Sequence, residues 1–259
     1  MEEDFLKIAK QAALEAGEII TKYFGKEHQY KFKNKDQSDF ATQADLRAEE
    51  KIVKILTQNF PEHNIIAEEG NKINKGSEYT WVIDPLDGSI SFTYGMPYYG
   101  VSIGLIKDGK PILGVVYHIK FNELYWAIQG GGAYLNGKLI HVSTKEKLNE
   151  AGVVLDTGHR QKRQLKIDLY VTPLITKVGY AYSLGSAVIV LGMIASGILA
   201  GTVNQAWIWD FAAGTVIVRE AGGRVTDFEG KEPDWSKERL NIVASNGLIH
   251  NQLLEILKQ

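Results

Sequence analysis

The 259-residue sequence contains no cysteine. That absence excludes disulfides, thiolate metal sites and a cysteine nucleophile together. Charge of neither sign predominates, since 29 Lys and Arg stand against 31 Asp and Glu for a formal net charge of -2. Nothing global therefore draws the chain to nucleic acid or to an anionic membrane, and direct nucleic-acid binding is not expected. If the protein handles phosphate, local groups or bound cations supply the positive charge. The first ten residues carry Glu2, Glu3 and Asp4 and lack the basic start and apolar core of a signal peptide, so a cytoplasmic location is expected. Long hydrophobic runs are scarce as well. Residues 187–203 approach the length of a membrane span, but Gly192, Ser196, Gly197 and Gly201 interrupt them and no basic flank adjoins them. We read this run as a core helix. The 6 histidines are scattered with no pair at zinc-ligand spacing, and each reads as structural.

What is present is a mixed pattern of helices and strands. Phe5, Ile8, Ala9, Ala12, Ala13, Ala16, Ile19, Ile20 and Phe24 recur at helical spacing up to Gly25. Residues 26–39 are basic and polar and read as an exposed strand or loop. Residues 46–60 return to helical spacing and stop before Pro61. Residues 64–67 and 81–83 are short apolar runs that read as strands. Residues 101–106 and 112–118 flank Asp108-Gly109, a tight-turn pair, and read as a hairpin. Strands over 124–128 and 139–142 follow, the latter after a second such pair, Asn136-Gly137. The polar run 143–150 is the expected boundary, giving an N-terminal half over 1–145 and a C-terminal half over 146–259 within one catalytic unit. The second half alternates strands (152–156, 240–244) with helices (186–199, 211–221, 248–257).

Acidic clusters stand at the edges of apolar segments: Glu68-Glu69, Asp84 with Asp87, and Asp210. Carboxylates crowded together at the ends of buried strands take up protons unless a cation neutralises them. Oxygen-only ligands select a hard cation, and magnesium is the usual partner of phosphate esters. Asp84-Pro85-Leu86-Asp87-Gly88 taken alone also reads as a turn. Gly88-Ser89 followed by Ile90-Ser91-Phe92 places these acids before a helix start or an equivalent nest of N–H groups, which binds an anion.

The segment Trp81-Val82-Ile83-Asp84-Pro85-Leu86-Asp87-Gly88-Ser89, running on to Tyr94, resembles the first signature of the inositol monophosphatase family. Trp209-Asp210-Phe211-Ala212-Ala213-Gly214, with Arg219 to Gly223, resembles its second. Ala67-Glu68-Glu69, the segment from Asp39 to Asp45, and the Gly131 to Gly137 turn follow the family pattern in the same order. The resemblance implies an α+β layered sandwich (α/β/α/β/α), a homodimer, and magnesium-dependent hydrolysis of small-molecule phosphate esters, sensitive to lithium. By position it gives Glu68, Asp84 and the Leu86 carbonyl to one magnesium and Asp84, Asp87 and Asp210 to a second. Glu68 would also hold a weaker third ion through water. Ser89, where the family usually has threonine, would orient the attacking water together with Asp45, and Gly88 and Ser89 N–H groups would bind phosphate.

The resemblance is looser around the sugar. A glutamate seven residues before the second-signature aspartate commonly contacts a ring hydroxyl in the family; here that position is Val203, beside Asn204. Gly185-Ser186-Ala187 matches the sugar-facing turn, Tyr182 replaces a frequent arginine, and Arg160 is a candidate for a second phosphate. The expected substrate is myo-inositol monophosphate. The alternatives are a fructose-1,6-bisphosphatase or dual enzyme, a 3′-phosphoadenosine 5′-phosphate phosphatase, and a non-catalytic partner of the transcription machinery.

Overall fold

A computed structural model describes residues 2–26, 30–32, 40–158 and 160–258. Helix α1 (Glu2–Tyr23) buries Phe5, Ala9, Ala12, Ala13, Ala16 and Ile20, the stripe expected from the spacing, and opens with Glu2, Glu3 and Asp4 where the helix dipole favours acids. Strands β1 (Tyr30–Phe32) and β2 (Phe40–Thr42) form a small antiparallel pair. Helix α2 (Gln43–Asn59) starts at a capping box in which Thr42 and Asp45 satisfy each other's end of the chain. Next come β3 (Asn64–Ala67), β4 (Lys72–Ile73), β5 (Tyr79–Asp87), the short helix α3 (Ser89–Thr93), β6 (Gly100–Lys107), β7 (Lys110–His118), β8 (Glu123–Ile128), β9 (Ala133–Leu135) and β10 (Lys138–Ile140). They form a mixed eight-stranded sheet in the order β10-β9-β8-β7-β6-β5-β3-β4. The predicted hairpin turns are there, with Asp108 and Gly109 at φ 48 and 74 and Asn136 and Gly137 at 49 and 79. Both pairs lie in the left-handed region that two-residue hairpins require.

In the second half the elements are β11 (Gly152–Leu155), α4 (Arg160–Lys166), a widened π-type turn (Ile167–Val171), α5 (Thr172–Ile175), β12 (Tyr180–Tyr182), α6 (Ala187–Ala195), β13 (Gly201–Trp207), α7 (Ile208–Glu220), β14 (Arg224–Thr226), β15 (Arg239–Ser245) and α8 (His250–Leu257). The five strands pair in the order β12-β11-β13-β15-β14. One sequence expectation fails here. The run 187–203 is not a single helix: α6 stops at Ala195, Gly197 turns the chain at φ 76, and Gly201 begins β13. Continuous apolarity hid the break, because a buried strand and a buried helix share it.

The two sheets sandwich α6 and α7, and helices cover both outer faces, so the layers run α/β/α/β/α. One apolar cluster joins α1 and α2 to the large sheet, a second surrounds α6 and α7, and a third lies between the small sheet and α5 and α8. Helix α7 is buried without interruption from Ile208 to Val218, as a helix between two sheets must be. Its seat is specific. Gly104 and Gly114 are cross-strand partners, and a Cβ on them would stand 2.9 Å from Ala212 Cβ and 2.1 Å from the Ala213 carbonyl oxygen. The α7 backbone therefore rests directly on the sheet, with Asp210 at its N-terminal end. No helix among the described residues is long and apolar enough to cross a membrane.

Candidate active site

Strand β5 carries Trp81, Val82 and Ile83 into the core and then delivers Asp84, which is only 1% exposed. Asp84, Asp87 and Asp210 bring carboxylate oxygens within 4.8 Å of one another. Glu68, directly after β3, lines the same cleft, and its charge acts on both Asp84 and Asp210. Burial first, and then the neighbouring carboxylates, push Asp84 and Asp210 well above the usual carboxylate range. Burial likewise lifts Asp87 to about 7, even though Ser186 Oγ and the Val188 N–H donate to its Oδ2 at 2.5 and 2.8 Å. Carboxylates held this close need a shared proton or a cation between them. All the donors are oxygen, and no lysine or arginine bonds to Asp84, Asp87 or Asp210 among the described residues. The set therefore fits a hard divalent cation such as magnesium.

Beside this cluster Asp45 sits in the first turn of α2, fully buried. Its Oδ2 accepts from the Thr42 N–H at 2.7 Å and from Thr42 Oγ1 at 2.5 Å. Its Oδ1 is 2.7 Å from Ser89 Oγ, which is also 2.8 Å from the Leu86 carbonyl oxygen. Desolvation outweighs these hydrogen bonds and lifts Asp45 to about 6. One hydroxyl proton cannot serve two acceptors at once, so the Leu86 carbonyl retains capacity for a cation. Gly88 makes the bend between β5 and α3 at φ 81, and a Cβ there would lie 2.4 Å from the Tyr98 carbonyl oxygen. Only glycine fits both demands. The first N–H groups of α3 have no partner inside the helix.

The cleft above the carboxylates is also lined by Gly185, Ser186 and Ala187, and by Asn204 from β13. Ser186 caps α6, accepting from the Ile189 N–H at 3.2 Å while donating to Asp87. The Arg160 side chain, like His159 and Asp39, lies outside the described residues. The structure adds residues that the sequence analysis did not single out: Asp156, Lys162, Lys166, Trp207 and Arg239 also line the cleft. Asp156 follows β11 as Glu68 follows β3, so the rule that found one carboxylate could have found the other. Glu49 was missed too. Buried on α2 one turn beyond Asp45, it accepts from the Glu69 N–H, the Asn71 N–H and Asn71 Nδ2 at 2.7, 3.1 and 2.7 Å. It thereby shapes the loop that presents Glu68.

The sequence profile of the inositol monophosphatase family matches residues 1–259. The chain belongs to the inositol monophosphatase family. It is 38% identical over 257 residues to the fructose-1,6-bisphosphatase/inositol-1-monophosphatase of Aquifex aeolicus, covering 98% of this chain and 96% of that protein. It is also 38% identical over 268 residues to an inositol monophosphatase of Mesembryanthemum crystallinum, covering 99% and 96% of the two chains. Among solved structures, the extragenic suppressor protein suhB of Bartonella henselae superposes with a TM-score of 0.91 at 32% identity, covering 99% of each chain. The inositol monophosphatase family comprises phosphomonoester hydrolases, and the buried aspartate cluster is consistent with its metal site.

The wall of the cleft that carries Asn204 rests on a buried lysine. Val203 is fully buried in the apolar cluster beneath the small sheet and offers nothing to a ligand. Its neighbour Asn204 lines the cleft, and its Oδ1 accepts from Lys166 Nζ at 3.0 Å. Lys166 is 5% exposed and also reaches Asp156 Oδ2 at 3.4 Å. Beside the buried Val203 this chain thus presents an amide held by a buried ammonium.

Proposed function

We propose that this protein is a magnesium-dependent phosphomonoesterase that hydrolyses myo-inositol monophosphate and related cyclitol or sugar phosphates. The observation that carries the reading is the convergence of Glu68, Asp84, Asp87 and Asp210 beside the buried Asp45–Ser89 pair. Glu68, Asp84, the Leu86 carbonyl, Asp87 and Asp210 would hold two or three ions. When bound, such ions supply charge neutralisation, Lewis acidity toward the phosphate and a lowered pKa for water. In this reading Ser89 orients the attacking water, with Asp45 behind it as the group that receives the water's proton. The new P–O bond forms as the ester P–O bond breaks, and the departing sugar oxygen takes a proton from a second water, whose hydroxide is neutralised by the proton that Asp45 received. The exposed N–H groups of Gly88 and Ser89 hold phosphate oxygens, which gain charge as the ester bond breaks. Gly185, Ser186, Ala187 and Asn204 face the alcohol portion.

The test is phosphate release from inositol 1-phosphate, fructose 1,6-bisphosphate and 3′-phosphoadenosine 5′-phosphate, with and without magnesium, beside Asp87→Asn. We expect magnesium-dependent turnover of the cyclitol and sugar esters and its loss in the variant. Wild-type turnover in Asp87→Asn, or activity confined to the nucleotide, would overturn the reading. A purely non-catalytic protein would release no phosphate from any of them.

A further inference from the structure

One buried polar side chain outside the acidic cluster is linked to it along the large sheet. His118, on β7, is 2% exposed. Strand pairing sets Asp87, Gly100, His118 and Glu123 in a single row across β5, β6, β7 and β8. An imidazole in such a place is costly to bury unless its nitrogens find partners. Nδ1 faces Glu123 Oε2 at 3.2 Å, and Nε2 lies 2.9 Å from the Pro97 carbonyl oxygen. A carbonyl oxygen only accepts, so Nε2 carries the proton of that bond. Glu123 is fixed in turn by the hydroxyl of the fully buried Tyr125, which donates to the same Oε2 at 3.0 Å. A histidine that only stitched the hairpin would need nothing beyond Glu123. His118 instead reaches the loop that joins α3 to β6.

That loop backs the acidic turn. Its outer side chains, Tyr94 and Met96, are 80% and 46% exposed, so packing does little to hold them. Hydrogen bonds fix the backbone. The Met96 N–H donates to the Ser91 carbonyl oxygen at 2.8 Å, and the Pro97 carbonyl oxygen accepts from the Tyr99 N–H at 3.2 Å as well as from His118. Two donors on one carbonyl set the plane of the Pro97–Tyr98 peptide. The next carbonyl, that of Tyr98, is the atom that a Cβ on Gly88 would strike. Tyr98 therefore locates the Gly88 bend, and His118 locates Tyr98. Asp87 has separate support, because its Oδ2 accepts from Ser186 Oγ and the Val188 N–H of α6. Of the two duties of the turn, holding cations and binding phosphate through N–H groups, the second depends on the loop.

We propose that His118, oriented by Glu123, is a positioning residue that aims the Gly88 and Ser89 N–H groups at the phosphate through the Pro97–Tyr98 peptide. The inference rests on the phosphomonoesterase reading of the site. His118 itself touches neither substrate nor ion.

Two amide substitutions separate its contacts. A glutamine amide nitrogen reaches the place of Nε2 and can donate to Pro97, whereas an asparagine amide ends near Nδ1 and meets only Glu123. His118→Asn should raise both KM for inositol 1-phosphate and the inhibition constant of inorganic phosphate by about tenfold, the upper value of one lost hydrogen bond. The magnesium concentration for half-activation should stay within about twofold of wild type, because Asp87 is held from α6. His118→Gln should bring both phosphate constants back to within about threefold. Glu123→Gln, a milder change, should move the same two constants by about threefold and leave the magnesium requirement in place. Wild-type phosphate constants in both His118→Asn and Glu123→Gln, equal losses in the two His118 variants, or a magnesium requirement that rises with KM would overturn the proposal. A purely structural histidine predicts such equal losses, since both amides replace a buried ring with a smaller side chain. A second readout needs no turnover. In chelated protein, amide hydrogen exchange over residues 88–99 should be faster in His118→Asn than in His118→Gln or the wild type, with residues 124–128 unchanged. Unaltered exchange over 88–99 would count against the role. If no ester is hydrolysed but the exchange pattern is present, the phosphomonoesterase reading fails while the hold of His118 on the turn stands.

Discussion

Magnesium should stabilise the folded protein more at about pH 8 than at about pH 6. Asp87 has its folded pKa raised to about 7 from its ordinary 3.8, and Asp84 and Asp210 are also raised well above that ordinary value. A raised carboxylate binds its proton more tightly in the folded state, so chelated protein loses stability as pH climbs from about 4 to about 7. For Asp87 alone the loss reaches about 4 kcal/mol, at 1.36 kcal/mol per pH unit. A cation at the cluster opposes this loss and competes with the same protons. A group with a pKa of about 7 is about nine-tenths protonated at about pH 6 and about one-tenth at about pH 8, so apparent affinity falls about tenfold toward acid. Magnesium at about 100 times its dissociation constant adds about 2.7 kcal/mol at the higher pH, and the same concentration adds about 1.4 at the lower. In a chain of this size those gains correspond to melting shifts of about 5–10 °C and about 3–6 °C. The assay is thermal unfolding of chelated protein with and without magnesium at both pH values. His250 and the other titrating groups act on both curves alike and cancel in the difference. Equal shifts at the two pH values, or none at either, would refute the reasoning.

Ser89→Ala should lower kcat by about 100-fold or more, because Asp45 then lacks the hydroxyl that positions water, whereas Ser89→Thr should stay within a few-fold of wild type; steady-state kinetics on inositol 1-phosphate decides. His250 is buried between Thr226 Oγ1 and Ser245 Oγ, both at 2.9 Å, and burial lowers it to about 4. Its neutral ring favours the fold, so its contribution is present above the unfolded value of about 6.5 and is lost as pH falls toward about 4, up to about 3 kcal/mol. Urea unfolding across that window should show the slope, and His250→Asn should flatten it. Glu49→Gln removes a charged acceptor behind the Glu68 loop and should raise the magnesium concentration for half-activation by about tenfold while leaving KM for the ester near its wild-type value.

How far the site was legible depended on where each residue's signal lay. Asp84, Asp87, Glu68 and Asp210 each follow or open an element whose apolar pattern is local, and the family signatures surround them. Asp45 was placed by the family pattern, and its reciprocal bonds with Thr42 are a local, three-residue relation. Lys162, Lys166 and Arg239 had no such signal. Arg239 meets Trp207 only because β13 and β15 pair, and Lys166 becomes buried only because its amphipathic stem reaches Asn204 on the central strand of the small sheet. A basic, polar segment such as residues 160–166 reads as surface until the sheet beside it is known. The fold was clearest where turn chemistry punctuated it, at Asp108-Gly109 and Asn136-Gly137. It was least clear in 187–203, where one apolar run conceals a helix, a glycine turn and a strand.

The glycine seat under α7 sets an order of events during synthesis. Asp84 and Asp87 leave the ribosome with the first half of the large sheet, while Asp210 follows more than a hundred residues later. At about 5–20 residues per second that interval is on the order of ten seconds. Throughout it the nascent chain holds an unfinished acidic pocket, and the flat patch at Gly104 and Gly114 waits for the helix that covers it. The three-aspartate cluster comes into existence only when α7 lands on those two glycines, so it cannot form before α7 has been made and packed.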